Sequence, residues 1–244
     1  MSGRLRVLLV GHGRMGRLVE SLAAEHDVEV VGAITRGTAA DPASWPRADV
    51  AVDFSTAAAV PANARALASR GVALVIGTTG WQSEADDLRH DLEQLQAGVV
   101  AAANFAIGVN LFLAIVQRSA ELCAERGFAA WIHEAHHAAK KDAPSGTALA
   151  LQRLVEASAP RVDVSSTRAG YIPGTHTVGF DSPAETITLT HTARDRTAFA
   201  RGALEAAKWI NGRRGWFTMA DVLGFESKPQ TTNFNTNFKR TNLQ

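Results

Sequence analysis

Arg6-Val-Leu-Leu-Val10 runs directly into Gly11-His12-Gly13-Arg14-Met15-Gly16, and this stretch decides the fold of the chain. The apolar run is typical of a buried strand, and the spacing of Leu18, Val19 and Leu22 predicts a helix after the glycines. Strand, tight turn and helix in this order form a dinucleotide-binding arrangement, because the glycines let a pyrophosphate approach the backbone. Residues 11–16 are therefore predicted to contact a cofactor. A glycine-rich turn without a ligand is the alternative.

The second predicted strand, Val28–Ile34, is followed by Thr35-Arg36. Dinucleotide folds usually carry an acidic residue here, about 20 residues past the glycines, for the ribose 2′-hydroxyl. An acid would repel a 2′-phosphate, whereas an arginine can pair with one. Arg36 therefore predicts a preference for NADPH, with NADH possible. The alternative is that Arg36 is only an exposed loop cation.

Three further apolar runs, residues 49–53, 72–76 and 99–103, alternate with helical patterns. Such alternation predicts a Rossmann-type, doubly wound parallel sheet, whose ligands lie at the carboxyl ends of the strands. The small and polar residues that follow the fourth and fifth strands are therefore predicted to contact the cofactor as well. These residues are Gly77, Thr78, Thr79, Ala102, Ala103, Asn104 and Phe105.

A second chemical stretch is Glu134-Ala-His136-His137-Ala-Ala-Lys140-Lys-Asp-Ala-Pro-Ser-Gly146-Thr147. Histidine exchanges protons near neutral pH, and lysine can do so or hold a carboxylate. The Ser-Gly-Thr turn precedes a helical pattern, and the free N–H groups at a helix start favour an anion. The stretch therefore predicts a proton donor beside an anion site. A solvated basic loop before a surface helix is the alternative.

The second half of the chain predicts a smaller α+β unit. Residues 107–124, 147–156 and 199–211 have helical patterns. Residues 128–134, 168–180 and 185–193 resemble strands, the last two with the alternation of antiparallel pairs. A sheet with a helical layer on one face must cover its other face, so we expect self-association there.

Composition excludes several classes of protein. A formal net charge of +1 argues against a nucleic-acid partner. The single cysteine, Cys123, excludes an internal disulfide and fits a reducing compartment. We found no signal-peptide pattern and no uninterrupted apolar run of about 18 residues, so we expect a cytoplasmic protein without a membrane span. Residues 226–244 are expected to form a flexible extension.

Several motifs, in order, resemble the 4-hydroxy-tetrahydrodipicolinate reductase (dihydrodipicolinate reductase) family of lysine and diaminopimelate biosynthesis. The most specific is the His136-His-x-x-Lys140-x-Asp-Ala-Pro-Ser-Gly-Thr147 block. The other matching segments lie at residues 10–16, 53–55, 77–80, 103–110, 168–176, 189–200 and 219–224, so the likeness covers about residues 5–225.

The resemblance implies NAD(P)H-dependent reduction of a cyclic imine dicarboxylate by a homotetramer. It implies a dinucleotide domain of residues 1–107, to which residues 215–244 return, and a substrate-binding and oligomerisation domain of residues 108–214 with a mixed sheet. It assigns proton transfer to His136 and Lys140. His137, Gly146 and Thr147 are expected to bind substrate.

The chain departs from the family at two places: its glycine loop is one residue shorter than in many members, and Thr35 replaces an acidic residue that some members carry.

Three other interpretations stay open. His133, His136 and His137 could form a zinc site, but adjacent histidines diverge on a strand, so no metal is expected. Another amino-acid dehydrogenase would not need the His-His-x-x-Lys block. A nicotinamide-binding redox sensor would not need a proton donor.

Overall fold

The computed structural model describes residues 3–38, 41–159 and 161–225. The predicted extension at residues 226–244 lies outside the described residues. The strands are β1 (Leu5–Val10), β2 (Val28–Ile34), β3 (Val50–Asp53), β4 (Ala73–Ile76), β5 (Gly98–Ala101), β6 (Ala129–His136), β7 (Val162–Arg168), β8 (Thr175–Asp181), β9 (Thr186–Thr192) and β10 (Gly215–Phe217). The α-helices are α1 (Arg14–Ala23), α2 (Val60–Ala68), α3 (Ala85–Gln94), α4 (Ile107–Ala124), α5 (Gly146–Glu156), α6 (Thr197–Ile210) and α7 (Met219–Val222).

The first sheet has six parallel strands in the order β10-β5-β4-β3-β1-β2. Its central strands β3 and β4 are buried throughout, which is expected of parallel strands covered on both faces. Helices α1 and α6 form one apolar core on one side, and α2 and α3 form another on the opposite side. The predicted Rossmann-type doubly wound sheet is confirmed.

The second sheet has four strands in the order β7-β6-β8-β9. Strands β6 and β7 are parallel, whereas β6–β8 and β8–β9 are antiparallel. In β6 every second residue is buried, from Ala130 to His136, and helices α4 and α5 cover this face with a third apolar core. The predicted mixed sheet is confirmed. The period of two in a strand then directs the residues between them to the opposite face.

Helix α6 belongs by sequence to the expected substrate domain, residues 108–214, yet it packs on the first sheet. Its buried residues, among them Ala203 and Ala207, share a core with Val7 and Val52. The approach is close: a Cβ on Gly202 would lie 1.7 Å from the Phe105 carbonyl oxygen. After α6 the chain returns to the same sheet, because β10 pairs with β5. Only residues 215–225 of the expected returning segment are described.

Among the described helices, α4 alone has the length and apolar composition to cross a membrane, with a mean hydropathy of 1.3. One side of it packs in the third core through Phe112, Val116 and Ala120. Its exposed residues include the ion-paired Arg118 and Glu121. Length and composition in a single helix are weak evidence for a membrane span, since core helices meet the same test.

Candidate active site

In the turn between β1 and α1, Gly11 and Gly16 leave no room for a side chain. Gly11 has φ +89°, and a Cβ there would lie 2.6 Å from the Phe54 carbonyl oxygen. A Cβ on Gly16 would lie 2.2 Å from the Gly11 carbonyl oxygen, whereas one on Gly13 would meet nothing within 4 Å. The start of α1 is therefore open on its outer side, and its first turn carries no acidic residue. Free N–H groups and the helix dipole there suit a pyrophosphate.

The other residues of the turn differ in their surroundings. The Nε2 atom of His12 lies 2.7 Å from a carboxylate oxygen of Glu20, so this side chain is tied to α1. Arg14 is exposed at the first position of the helix, and Met15 is half-buried against the first core. The geometry thus offers the backbone of the turn, more than the His12 side chain, to a ligand.

A buried carboxyl group joins the ends of β3 and β4. Asp53 Oδ1 accepts hydrogen bonds from the Ser55 N–H at 2.8 Å and from the Ser55 and Thr78 hydroxyls at 2.7 Å each. Burial raises the pKa of Asp53, although these hydrogen bonds oppose the rise. The network fixes Thr78 at the edge of a cleft whose walls are Thr78, Trp81, Gln82, Ala101, Ala102 and Ala103. Thr79 follows in the same turn.

Two aromatic rings pack beneath this edge. Phe54 and Phe105 meet edge to face with centroids 6.2 Å apart, and a Cβ on Gly77 would lie 2.2 Å from the Phe54 ring. Phe105 is 1% exposed, so its side chain is a core group. The Asn104 side chain accepts a hydrogen bond from the Ala106 N–H at 2.9 Å and shapes the turn into α4. The carboxyl edge of the first sheet therefore presents mainly backbone, small residues and Thr78.

Arg36 lies in an exposed turn after β2. The turn is held by the Thr35 N–H, which donates to the Thr38 hydroxyl at 2.9 Å, and by Trp45 Nε1, which donates to the Thr38 carbonyl at 2.9 Å. Across residues 3–38, 41–159 and 161–225, the Arg36 guanidinium forms no ion pair. Its charge is therefore available to a ligand at this edge of the sheet.

Glu134 is the centre of a second constellation, on the helix-covered face of β6. Its side chain has no exposed surface, and its carboxylate accepts two hydrogen bonds from Arg168, at 2.8 and 2.6 Å. It also accepts the Ser145 N–H at 3.1 Å and pairs with His136 Nδ1 at 2.5 Å. Burial by itself would raise the pKa of Glu134, but hydrogen bonds from Arg168, Ser166, His136 and Ser145 lower it to about 2.

Two buried histidines face each other beside this carboxylate. The rings of His136 and His176 meet edge to face with centroids 5.1 Å apart. His176 Nε2 lies 2.9 Å from the Ser145 hydroxyl, while its buried Nδ1 has no partner within the described chain. Burial, and after it the neighbouring His136, lower the pKa of His176 to about 4. His176 is therefore neutral at physiological pH.

The anion site predicted at the start of α5 has the expected local form. Ser145 caps the helix, because its hydroxyl accepts the Ala148 N–H at 3.2 Å. Gly146 and Thr147 begin the helix, its first turn has no acidic residue, and a Cβ on Gly146 would meet nothing within 4 Å. Nearby, Lys140 Nζ donates to both oxygens of Asp142, at 2.7 and 2.8 Å. This pairing lowers the pKa of Asp142.

The start of α4 connects the carboxyl edge of the first sheet with the group of residues around Glu134. This helix follows the polar end of β5, and a Cβ on Gly108, in its first turn, would lie 3.1 Å from His191 Nε2 on β9. The carboxyl edge of the first sheet thus leads directly to the second sheet. His137, directly after β6, is half-buried at the start of the loop that carries Lys140.

The structure also separates residues that the zinc interpretation would bring together. His133 Nδ1 pairs with the Ser165 hydroxyl at 2.9 Å on the face of β6 away from the helices, opposite to His136. In the part of the chain that the structure describes, no group of three or more histidine, cysteine, aspartate or glutamate residues could hold a metal ion.

Sequence reasoning assigned no role to Glu134, Arg168 or the orientation of His176. The signal existed in the strand pairing: Glu134 and His136 are two apart on β6 and share a face, His136 pairs in register with Arg168, and Glu134 with His176. That register depends on which strands are neighbours, so a single strand pattern does not reveal it.

Known proteins resemble this chain over most of its length. The family models described as dihydrodipicolinate reductase, N-terminus and C-terminus, match residues 5–105 and 108–223. A 4-hydroxy-tetrahydrodipicolinate reductase from Methanocorpusculum labreanum is 36% identical, covering 90% of this chain and 99% of its own length. One from Myxococcus xanthus is 40% identical, covering 82% of this chain and 79% of its own length.

A solved structure shares the fold. It is a dipicolinate-bound dihydrodipicolinate reductase from Paenisporosarcina sp. TG-14, with a TM-score of 0.76 at 20% identity. The match covers 89% of this chain and 98% of that one. At this level of identity the likeness supports the two-sheet architecture.

The low pKa of His176 predicts sensitivity to mild acid. Its folded-state pKa of about 4 lies below the ordinary value of 6.5, so the unfolded chain takes up the proton first and stability falls as pH drops between these values. The loss approaches about 3 kcal/mol at pH 4. In His176→Gln this part of the pH dependence should vanish. Urea unfolding at several pH values measures it.

The matched control is His90→Gln on the exposed side of α3, which should keep the wild-type pH dependence. An equal slope in wild type and His176→Gln between pH 6.5 and 4 would contradict the buried neutral state of His176.

Proposed function

The chain is an oxidoreductase of the dihydrodipicolinate reductase family, and from this premise we propose that it reduces 4-hydroxy-tetrahydrodipicolinate to tetrahydrodipicolinate with NAD(P)H, in lysine biosynthesis via diaminopimelate. The observation that carries the proposal is the convergence of a proton carrier and an anion site: Glu134 contacts both His136 and Ser145, the cap of α5. A reductase of a cyclic imine dicarboxylate needs both groups.

The cofactor would be held along the carboxyl edge of the first sheet. The turn at residues 11–16 would take the pyrophosphate at the start of α1, where the glycines leave no room for side chains inside the turn. Gly77, Thr78, Thr79 and residues 102–105 would line the nicotinamide side, with Phe105 contributing its backbone. When bound, a reduced nicotinamide supplies the hydride.

The chain's own residues would orient the substrate and move the proton. The N–H groups of Gly146 and Thr147, which begin α5, would hold one carboxylate, and orientation is a large part of catalysis. Lys140 and His137 would contact the substrate from the loop after β6, with Lys140 leaving Asp142, whose side chain is 55% exposed, for the incoming anion. His136 would supply the proton, with Lys140 as a second donor.

The proposed reaction is tested by oxidation of NADPH that depends on substrate, made in place by the preceding pathway enzyme from pyruvate and aspartate semialdehyde. The nicotinamide absorbance reports the rate. We expect His136→Gln to lower kcat by about 10²–10⁴-fold, since that is the usual effect of losing a general acid. Thr147→Val should mainly raise KM, by about 10-fold, because the Thr147 hydroxyl, which would add a contact to the carboxylate beside the backbone N–H groups, is lost.

The control is His90→Gln, the same substitution on exposed α3, which should leave both constants unchanged. Unchanged constants in both His136→Gln and Thr147→Val would contradict the site assignment. Binding of NADPH without substrate-dependent oxidation in the wild type would instead favour the redox-sensor interpretation.

The preferred cofactor is proposed to be NADPH, because Arg36 is exposed, free of ion pairs within the described chain and placed after β2. Arg36→Ala should lower kcat/KM for NADPH by about 10–100-fold, the value of a charge-assisted contact, and change that for NADH little. Arg126→Ala, an exposed arginine after α4, is the control. A clear NADH advantage in the wild type would contradict the assignment.

The assembly is proposed to be a homotetramer built on the open face of the second sheet. This face carries rows of threonine, among them the hydrogen-bonded pairs Thr175–Thr192 and Thr177–Thr190, with oxygens 3.1 and 3.0 Å apart. Helices α4 and α5 cover the opposite face. Symmetric association would cover the open face.

The proposed location is the cytoplasm. A biosynthetic reductase whose single cysteine is buried fits this location.

Light scattering of the purified protein should give four times the chain mass of 25.9 kDa. Thr190→Arg, which places a charge on the open face, should lower the mass. Gln94→Arg on exposed α3 is the control and should not. A monomeric wild type would contradict the tetramer.

A further inference from the structure

We propose that Glu134 is a positioning residue that holds a proton on Nδ1 of His136, so that Nε2 is the atom that passes a proton to the substrate. The inference rests on the proposed function, in which His136 is the proton donor. It adds the identity of the reacting nitrogen and the residue that selects it.

The side chains of Glu134 and His136 are in direct contact. Glu134 Oε2 and His136 Nδ1 are 2.5 Å apart, and the two side chains lie on the same face of β6 because they are two residues apart. Glu134 has no exposed surface, and the His136 side chain is 11% exposed. Water therefore has little access to this bond.

The hydrogen bonds to Glu134 keep its carboxylate ionised. Arg168 donates two hydrogen bonds to Glu134, and the Ser145 N–H donates a third. These contacts outweigh the effect of burial and lower the pKa of Glu134 to about 2. An ionised carboxylate only accepts hydrogen bonds, so the nitrogen that faces it must carry the hydrogen. Neutral His136 is then the Nδ1–H tautomer.

The opposite edge of the His136 imidazole carries Nε2. Gly174 has φ +135°, and a Cβ there would lie 3.1 Å from His136 Nε2. The bare glycine leaves this nitrogen uncovered. No group among residues 3–38, 41–159 and 161–225 forms a hydrogen bond with it. Nε2 is therefore the nitrogen that can reach a ligand.

The positive charges that surround His136 are compensated by carboxylates. The charged and titratable groups that neighbour the pair are Arg168 on β7, His176 on β8 and Lys140 in the following loop, with His191 on β9 beyond His176. Glu134 compensates the charge of Arg168, and Asp142 that of Lys140. His176 stays neutral, because burial lowers its pKa to about 4.

The proton transfer then has a defined balance. Protonated His136 carries hydrogens on both nitrogens. The Nε2–H bond breaks, its electron pair stays on nitrogen, and the proton passes to the substrate atom that has become electron-rich on arrival of the hydride. The Nδ1–H stays hydrogen-bonded to Glu134. The imidazole ring therefore does not need to flip before Nε2 takes up a new proton from solvent.

The direct test is nitrogen-15 NMR of the histidine rings in the wild-type protein without substrate. The His136 signal is identified by its loss in His136→Gln. At a pH where the ring is neutral we expect the Nδ1–H tautomer, and in Glu134→Gln a mixture or the opposite tautomer. The Nε2–H tautomer in the wild type would overturn the proposal. Because this readout needs no turnover, it is independent of whether the proposed reaction occurs.

The kinetic test uses the substrate-dependent oxidation of NADPH. Loss of the charged acceptor should make Glu134→Gln about 10–100-fold slower in kcat, the effect of losing a hydrogen bond to a charged group. The pH above which kcat declines should fall by about one to two units. Glu134→Asp keeps the charge that faces Arg168 and should recover part of both effects.

Thr147→Val is the comparison variant, since it should change KM and leave the pH profile in place. A Glu134→Gln enzyme with reduced kcat and an unshifted profile would show that Glu134 acts only through the structure of the loop, which would overturn the proposal. If Glu134→Gln does not fold, the tautomer in the wild type still decides the question.

Discussion

Glu134 has no exposed surface, and its carboxylate is ionised because the Arg168 guanidinium binds both of its oxygens. Removing one member of such a buried pair typically costs about 3–5 kcal/mol, because an uncompensated charge is left behind. Such a buried pair adds little net stability, since desolvation offsets most of its attraction. Its value here is geometric: it requires β6, β7 and the loop before α5 to meet at one point.

A different constraint shapes the carboxyl edge of the first sheet. Gly11, Gly16 and Gly77 each lie where a Cβ would come within 2.6 Å of another atom. A Cβ on Gly202 of α6 would come still closer, 1.7 Å from the Phe105 carbonyl oxygen. The backbone is thus exposed to a ligand on one side and packed against aromatic and helical layers on the other. Glycines and small side chains form the inner surface of this edge, and the charged Arg14 and Arg36 lie at its exposed turns.

The sequence predicted most of the elements but not their pairing. The strand predicted over residues 168–180 was wrong in its first half, because the structure has β7 at Val162–Arg168, a turn, and β8 at Thr175–Asp181. Continuous apolar runs predicted the parallel strands, and the spacing in residues 107–124 predicted α4 with its observed bounds. Glu134 and Arg168 are separated by 34 residues, and only the pairing of β6 with β7 brings them together. Helix α6 follows the second sheet in sequence, but its buried alanines fit closely on the first. The pairing of β6 with β7 and the position of α6 depend on packing between distant segments, so local sequence patterns could not predict them.

In the proposed reaction this arrangement would couple recognition of the substrate to its protonation. One carboxylate, Glu134, contacts the ring of His136 and the N–H of Ser145, the cap of α5. Any shift of Glu134 would therefore displace the proton carrier and the anion site together. Without a ligand, Glu134 balances Arg168 and Asp142 balances Lys140. In the proposed reaction a dicarboxylate would therefore enter a setting in which the charges of Arg168 and Lys140 are already compensated, and it would compete with Asp142 for Lys140.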